Sequence, residues 1–137
     1  ISIKEDVAEK PESDYTLKTN QITDSEKNFL SVLREVVGTN YIIATQVPIS
    51  SLVSANKSDY SYFNKIKAKT IDFVLFRPDY SPYLAIELDD RSHFRWNRRK
   101  RDEFVNDLMK GVGLRLLRVP ASYTYDFNEI KKEIFNQ

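Results

Sequence analysis

At 137 residues, with 41% hydrophobic and 30% charged side chains, the chain can build one domain around a single core and is too apolar to be disordered. It has no cysteine, which excludes a disulfide framework and thiolate metal sites. The formal net charge is +1, so affinity for nucleic acid would have to come from local clusters of cations rather than bulk charge.

No apolar run is long enough to cross a membrane, and no signal peptide is visible. The compartment is left open, with the cytoplasm as the default expectation. The chain begins with Ile1 and not Met, which is expected of a fragment of a longer protein with other domains. Residues 1–20 are polar and charged, with Pro11 and few large apolar side chains, and are expected to form a loose arm or linker ahead of a domain over residues 21–137.

Phe29, Leu30, Leu33, Val36 and Val37 recur at helical spacing, which predicts a first helix over Thr23 to Val37. Gly38 stands where such a helix would end, and Thr23-Asp24-Ser25-Glu26 has capping-box spacing. Tyr41 to Ile49 reads as a strand, with Gln46 as an outward-facing polar residue and Pro48 marking an edge or a strand end. From Ser50 to Lys69 the pattern is less regular, and Ser54 to Tyr62 reads as a loop. Lys65 and Lys67, close to Tyr60, Tyr62 and Phe63, suit either a solvated loop or contacts to a nucleic-acid backbone and bases.

Thr70 to His93 organises the chain. Ile71 to Phe76 and Tyr83 to Leu88 are strands rich in β-branched and aromatic residues, joined by a turn over Pro78 to Ser81. That loop sets Arg77 opposite Pro82 and Asp72 opposite Glu87. Ile71, Phe73, Leu75, Leu84, Ile86 and Leu88 then share an apolar face. Asp72, Val74, Phe76, Tyr83, Ala85, Glu87 and Asp89 share the other, and a slip of one residue would mix the two sets. Directly opposed Cβ atoms lie roughly 4.5–5.5 Å apart, so Asp72 and Glu87 should be close, with Asp89 along the same face. The acids interrupt strands that otherwise look buried on both sides. Such a cluster needs a raised pKa or a hard cation such as Mg²⁺ to offset its repulsion. The structural alternative is an exposed sheet face with the acids in solvent.

A second long helix is expected over Asn97 to Val112, with Asn97 as N-cap and Phe104, Val105, Leu108, Met109 and Val112 as its apolar stripe. Its first turn would carry Arg98, Arg99, Lys100 and Arg101, just after Arg95. Cations there oppose the helix dipole and suit a bound phosphate. Asp102 has the spacing to pair with Arg98. Leu114 to Val119 reads as a strand with Arg115 and Arg118 on opposite faces, Arg118 either balancing the acids or ending the strand. Asp126 to Phe135 is a short amphipathic helix. The fold class that follows is α/β, a central sheet of about four mixed strands flanked by helices.

An Asp on one strand, Ile86-Glu87-Leu88-Asp89-Asp90-Arg91-Ser92-His93 on and after the next, then Arg101-Asp102 and Leu114-Arg115-Leu116-Leu117-Arg118, resembles the PD-(D/E)XK nuclease superfamily. The branch is that of the very-short-patch repair endonucleases, and the likeness runs from about Thr23 to Val119. Asp89 replaces the superfamily lysine of Glu-x-Lys, and Asp90 replaces a glycine. The resemblance implies a restriction-endonuclease-like core and metal-dependent cleavage of nucleic acid, with Mg²⁺ or Mn²⁺ held by Asp72, Glu87 and Asp89, or by the Leu88 carbonyl between the last two. It adds Glu26 and Gln46 as site residues, and His93, the only histidine, as general acid, phosphate donor or ligand. Arg95, Arg98, Arg99, Lys100, Arg101, Lys65 and Lys67 would then contact the nucleic acid. Two alternatives keep the fold without the chemistry: a non-catalytic nucleic-acid-binding module and a protein-interaction domain with an acidic patch.

Overall fold

The computed structural model describes residues 1–6, 12–56, 60–90 and 95–136, and the side chains of 60, 62, 63 and 95–98 lie outside what is described. The elements run α1 (Asp24–Val37), β1 (Ile42–Pro48), α2 (Ile49–Leu52), α3 (Tyr60–Ile66), β2 (Thr70–Phe76), β3 (Pro82–Asp89), α4 (Arg95–Val112), β4 (Arg115–Pro120) and α5 (Phe127–Phe135). The four strands form one sheet in the order β1-β2-β3-β4. The first two pairings are antiparallel and β3–β4 is parallel, with α4 as the crossover, so the sheet is mixed as expected. No helix among the described residues is long and apolar enough to cross a membrane.

Two apolar clusters hold helices to the two faces. On one, Phe29, Leu33 and Val37 of α1 and Ile130 and Ile134 of α5 pack against Phe73, Leu75, Leu84, Ile86 and Val119. On the other, Val105 and Met109 of α4, Ile49 of α2 and Ile66 of α3 pack against Ile71, Val74 and Ala85. Each fully buried Phe, Leu or Ile contributes about 1.5–3 kcal/mol, so these clusters dominate the fold. Thr23 caps α1 in a complete capping box with Glu26, and Gly38 ends it at φ +57, a conformation that favours glycine. Asp126 caps α5 by accepting the Asn128 and Glu129 amides.

Several expectations need correction. Ile49 leaves β1 to start α2, and α3 occupies the end of the expected loop. The β2–β3 register is the expected one through Phe73–Ile86, Val74–Ala85 and Leu75–Leu84, but it shifts between Leu75 and Phe76. That bulge turns Tyr83 to the α1–α5 side, where its ring lies 4.6 Å from Tyr41. Ile71 likewise joins the α4 side, because strict alternation fails where the ladder stops at Phe73–Ile86. Val112, expected in the α4 stripe, is 50% exposed.

Candidate functional site

Register builds the site. Parallel pairing sets Arg118 of β4 beside Glu87 of β3. The β2–β3 register sets Asp72 across from Glu87, one step past Phe73–Ile86. Gln46 of β1 falls opposite Asp72, between the pairs Thr45–Phe73 and Val47–Ile71. Gln46, Asp72, Glu87 and Arg118 therefore form one row across all four strands. The β2–β3 ladder does not continue through Asp72. Instead the Asp72 carboxylate enters the seam, and its Oδ2 accepts the Leu88 amide at 2.8 Å.

Glu87 is only 9% exposed. Burial first, then the neighbouring Asp72 carboxylate, push its carboxyl up to about 8, while Arg101 and Arg118 pull it down. A buried carboxyl facing another acid is most easily kept by holding its proton, or by exchanging it for a cation.

Arg118 gathers the remaining polar groups. Its guanidinium lies 3.3 Å from Asp102 and 3.8 Å from Asp89, and donates to Asn106 Oδ1 at 2.9 Å. It balances the acids and is more than a strand end. Arg115 faces the other way and donates to the Ile134 and Glu133 carbonyls at the end of α5. Asp102 pairs with Arg118, and Arg98, its expected partner, has its side chain outside the described residues. Among the described residues no three acidic or histidine side chains converge as a metal set, and Asp89 of the expected trio pairs with Arg118.

Glu26 caps the start of α1, as expected, and also reaches β1. Its Oε1 accepts the Thr23 amide in the capping box, and its Oε2 accepts from Gln46 Nε2. Gln46 also accepts from the Thr70 hydroxyl at 3.4 Å. It stands at φ +50, a left-handed conformation costing about 1–2 kcal/mol in a non-glycine residue. That strain falls at the point of the row facing Asp72, where irregular backbone re-aims a side chain.

The cations are placed differently from the expectation. α4 already includes Arg95, so Asn97 is not its cap, and Arg98 to Arg101 lie at the end of the first turn and along the second. Of that run only Arg98 falls within the first four residues of the helix, whose amides lack intrahelical partners. Arg99, Lys100 and Arg101 are exposed, and Arg101 donates to the Thr70 carbonyl at 3.4 Å. Lys65 and Lys67 are exposed at the end of α3 and just beyond it. His93 lies outside the described residues, as do the side chains of Arg95, Arg98, Tyr60, Tyr62 and Phe63. Asn106 escaped the reading of the sequence, although its i,i+4 spacing from Asp102 puts both on the α4 face that meets β4.

Compared with known proteins, residues 18–137 match the model of one family, described as a protein of unknown function (DUF2726). No curated protein and no solved structure matches.

Proposed function

The chain belongs to the DUF2726 family, and we propose that it is a metal-dependent nuclease of the PD-(D/E)XK type, hydrolysing phosphodiester bonds of nucleic acid, DNA foremost. The observation that carries this reading is the Asp72–Glu87 pair, two acids that the β2–β3 register sets across from each other where the ladder is interrupted, one of them buried and hard to ionise. Oxygen donors suit a hard cation. Mg²⁺ is commonly held by one or two carboxylates, with waters and substrate phosphate completing its shell, so this pair fits Mg²⁺, or Mn²⁺ in its place. When bound, the ion would stabilise charge on a phosphate oxygen and lower the pKa of the attacking water.

The chain's own residues divide the remaining work. Asp72 and Glu87 would hold the ion, Glu87 giving up the proton it holds near neutral pH. Arg118 offsets part of the negative charge of Asp89 and Asp102 and so lowers the repulsion an incoming phosphate would meet at the end of β3. Arg99, Lys100 and Arg101, with Arg95 and Arg98, line α4 with cations for the strand backbone. Gln46 and Glu26 brace the far end of the row. His93 is assigned the proton delivered to the leaving oxygen.

Calorimetric titration with Mg²⁺ tests this. The parent should bind with release of a proton near neutral pH, and Asp72→Ala should not bind. A parent that takes up neither Mg²⁺ nor Mn²⁺ removes the reading. One observation favours a second reading, a non-catalytic nucleic-acid-binding module: Asp89, standing where the superfamily has its lysine, is paired with Arg118.

A further inference from the structure

We infer that Tyr123 is a stacking platform for an unpaired nucleobase of the strand whose phosphate is held beside Asp72 and Glu87, an inference that rests on the nuclease reading above. The Tyr123 ring is 98% exposed, yet the backbone around it is tied down. Asn28 Nδ2 donates to the Ser122 carbonyl at 3.1 Å and to the Tyr123 carbonyl at 3.3 Å. The Ser122 amide donates to the Tyr125 hydroxyl at 2.9 Å, and the Tyr125 ring packs edge-on against buried Phe29 at 5.4 Å. Because the backbone is already fixed, stacking on the ring costs only the rotation of the side chain itself.

Its loop starts at the end of the sheet where the site lies. The loop leaves β4 at Pro120, which is in register with Asp89, and the Ala121 amide donates to the Asp89 carbonyl at 2.8 Å. Tyr123 follows Pro120 by three residues, about 11 Å of chain at most. The ring borders a cleft of about 460 Å³ that also takes in Asn28, Asp24 and Asp90. Acidic walls disfavour a phosphate there. They suit a base, whose exocyclic amino groups donate to carboxylates. A base paired inside a duplex cannot offer its face to the ring, so the occupant is single-stranded, overhanging or flipped out.

The test measures binding in EDTA of a short fluorescently labelled single-stranded DNA, and of its duplex, to the parent, Tyr123→Ala and Tyr123→Phe. Tyr123→Ala should weaken single-strand binding about fivefold or more, the lower range for loss of one stack, with less effect on the duplex. Tyr123→Phe should keep the parent's affinity, and both variants should keep its melting temperature. If the parent binds and Tyr123→Ala binds equally well, or Tyr123→Phe is as weak as Tyr123→Ala, the stacking role is overturned and the nuclease reading stands. If the parent binds no DNA with or without Mg²⁺, the stacking role falls, whereas the nuclease reading falls only if the parent also takes up neither Mg²⁺ nor Mn²⁺.

Discussion

Asp72 does in the β2–β3 seam what a backbone carbonyl does elsewhere in the sheet: its Oδ2 accepts the Leu88 amide at 2.8 Å. The carboxylate is thereby a structural acceptor and, facing Glu87 across the β2–β3 register, half of the proposed metal site. The two roles separate by substitution.

In metal-free protein, Asp72→Asn should be as stable as the parent or more so. Its amide oxygen can still accept from Leu88, and its amide nitrogen can donate to Glu87. Asp72→Ala leaves the Leu88 amide without that acceptor and should lose about 1–3 kcal/mol. Melting curves in EDTA decide. An Asn variant as unstable as the Ala variant would show that the negative charge itself supports the fold.

Glu87 makes stability depend on pH. Its folded pKa of about 8 lies above the ordinary 4.5, so the native state holds this proton more tightly than the unfolded chain. The stability it contributes is fully present below about pH 4.5 and lost as pH rises through about 8, at up to about 1.4 kcal/mol per unit between. Urea unfolding of the metal-free protein across that window should show the decline, and Glu87→Gln should flatten it. A parent whose stability rises steadily with pH would contradict a buried, protonated Glu87.

Much of this was legible in the sequence, and the failures have local causes. Alternation fixed which of Phe73, Leu75, Leu84 and Ile86 share a face, because one-residue slips would bury charge. Capping chemistry fixed the start of α1 at Thr23. Ile71 and Tyr83 were misplaced because an interrupted ladder and a bulge each reset a period that the sequence shows as unbroken. The start of α4 was misplaced because Asn97 is a good cap by type, yet the helix already includes Arg95. Pairing between Arg118 and the α4 side chains Asp102 and Asn106 depends on the parallel crossover, which residue spacing alone does not encode.

The basic run of α4 should bind the nucleic-acid backbone. Replacing Arg98, Arg99 and Lys100 together with Gln should weaken binding uniformly across sequences. It should also lower the slope of log affinity against log salt by roughly 0.7–0.9 for each phosphate that is no longer neutralised. Stability should change little, since Arg99 and Lys100 are exposed. Filter binding at several salt concentrations measures both. Unchanged affinity with an unchanged slope would mean that the phosphates are held elsewhere.

The most direct test is cleavage itself. Labelled single- and double-stranded DNA and RNA are incubated with the parent, Asp72→Asn and Glu87→Gln, in Mg²⁺, Mn²⁺ or EDTA. The parent should cut at least one of these in Mg²⁺ or Mn²⁺ and none in EDTA. Either substitution should abolish cutting while leaving a folded protein, because an amide is a poor ligand for a hard cation. A parent that cuts nothing under any of these conditions, or variants that cut as the parent does, would contradict a nuclease centred on Asp72 and Glu87.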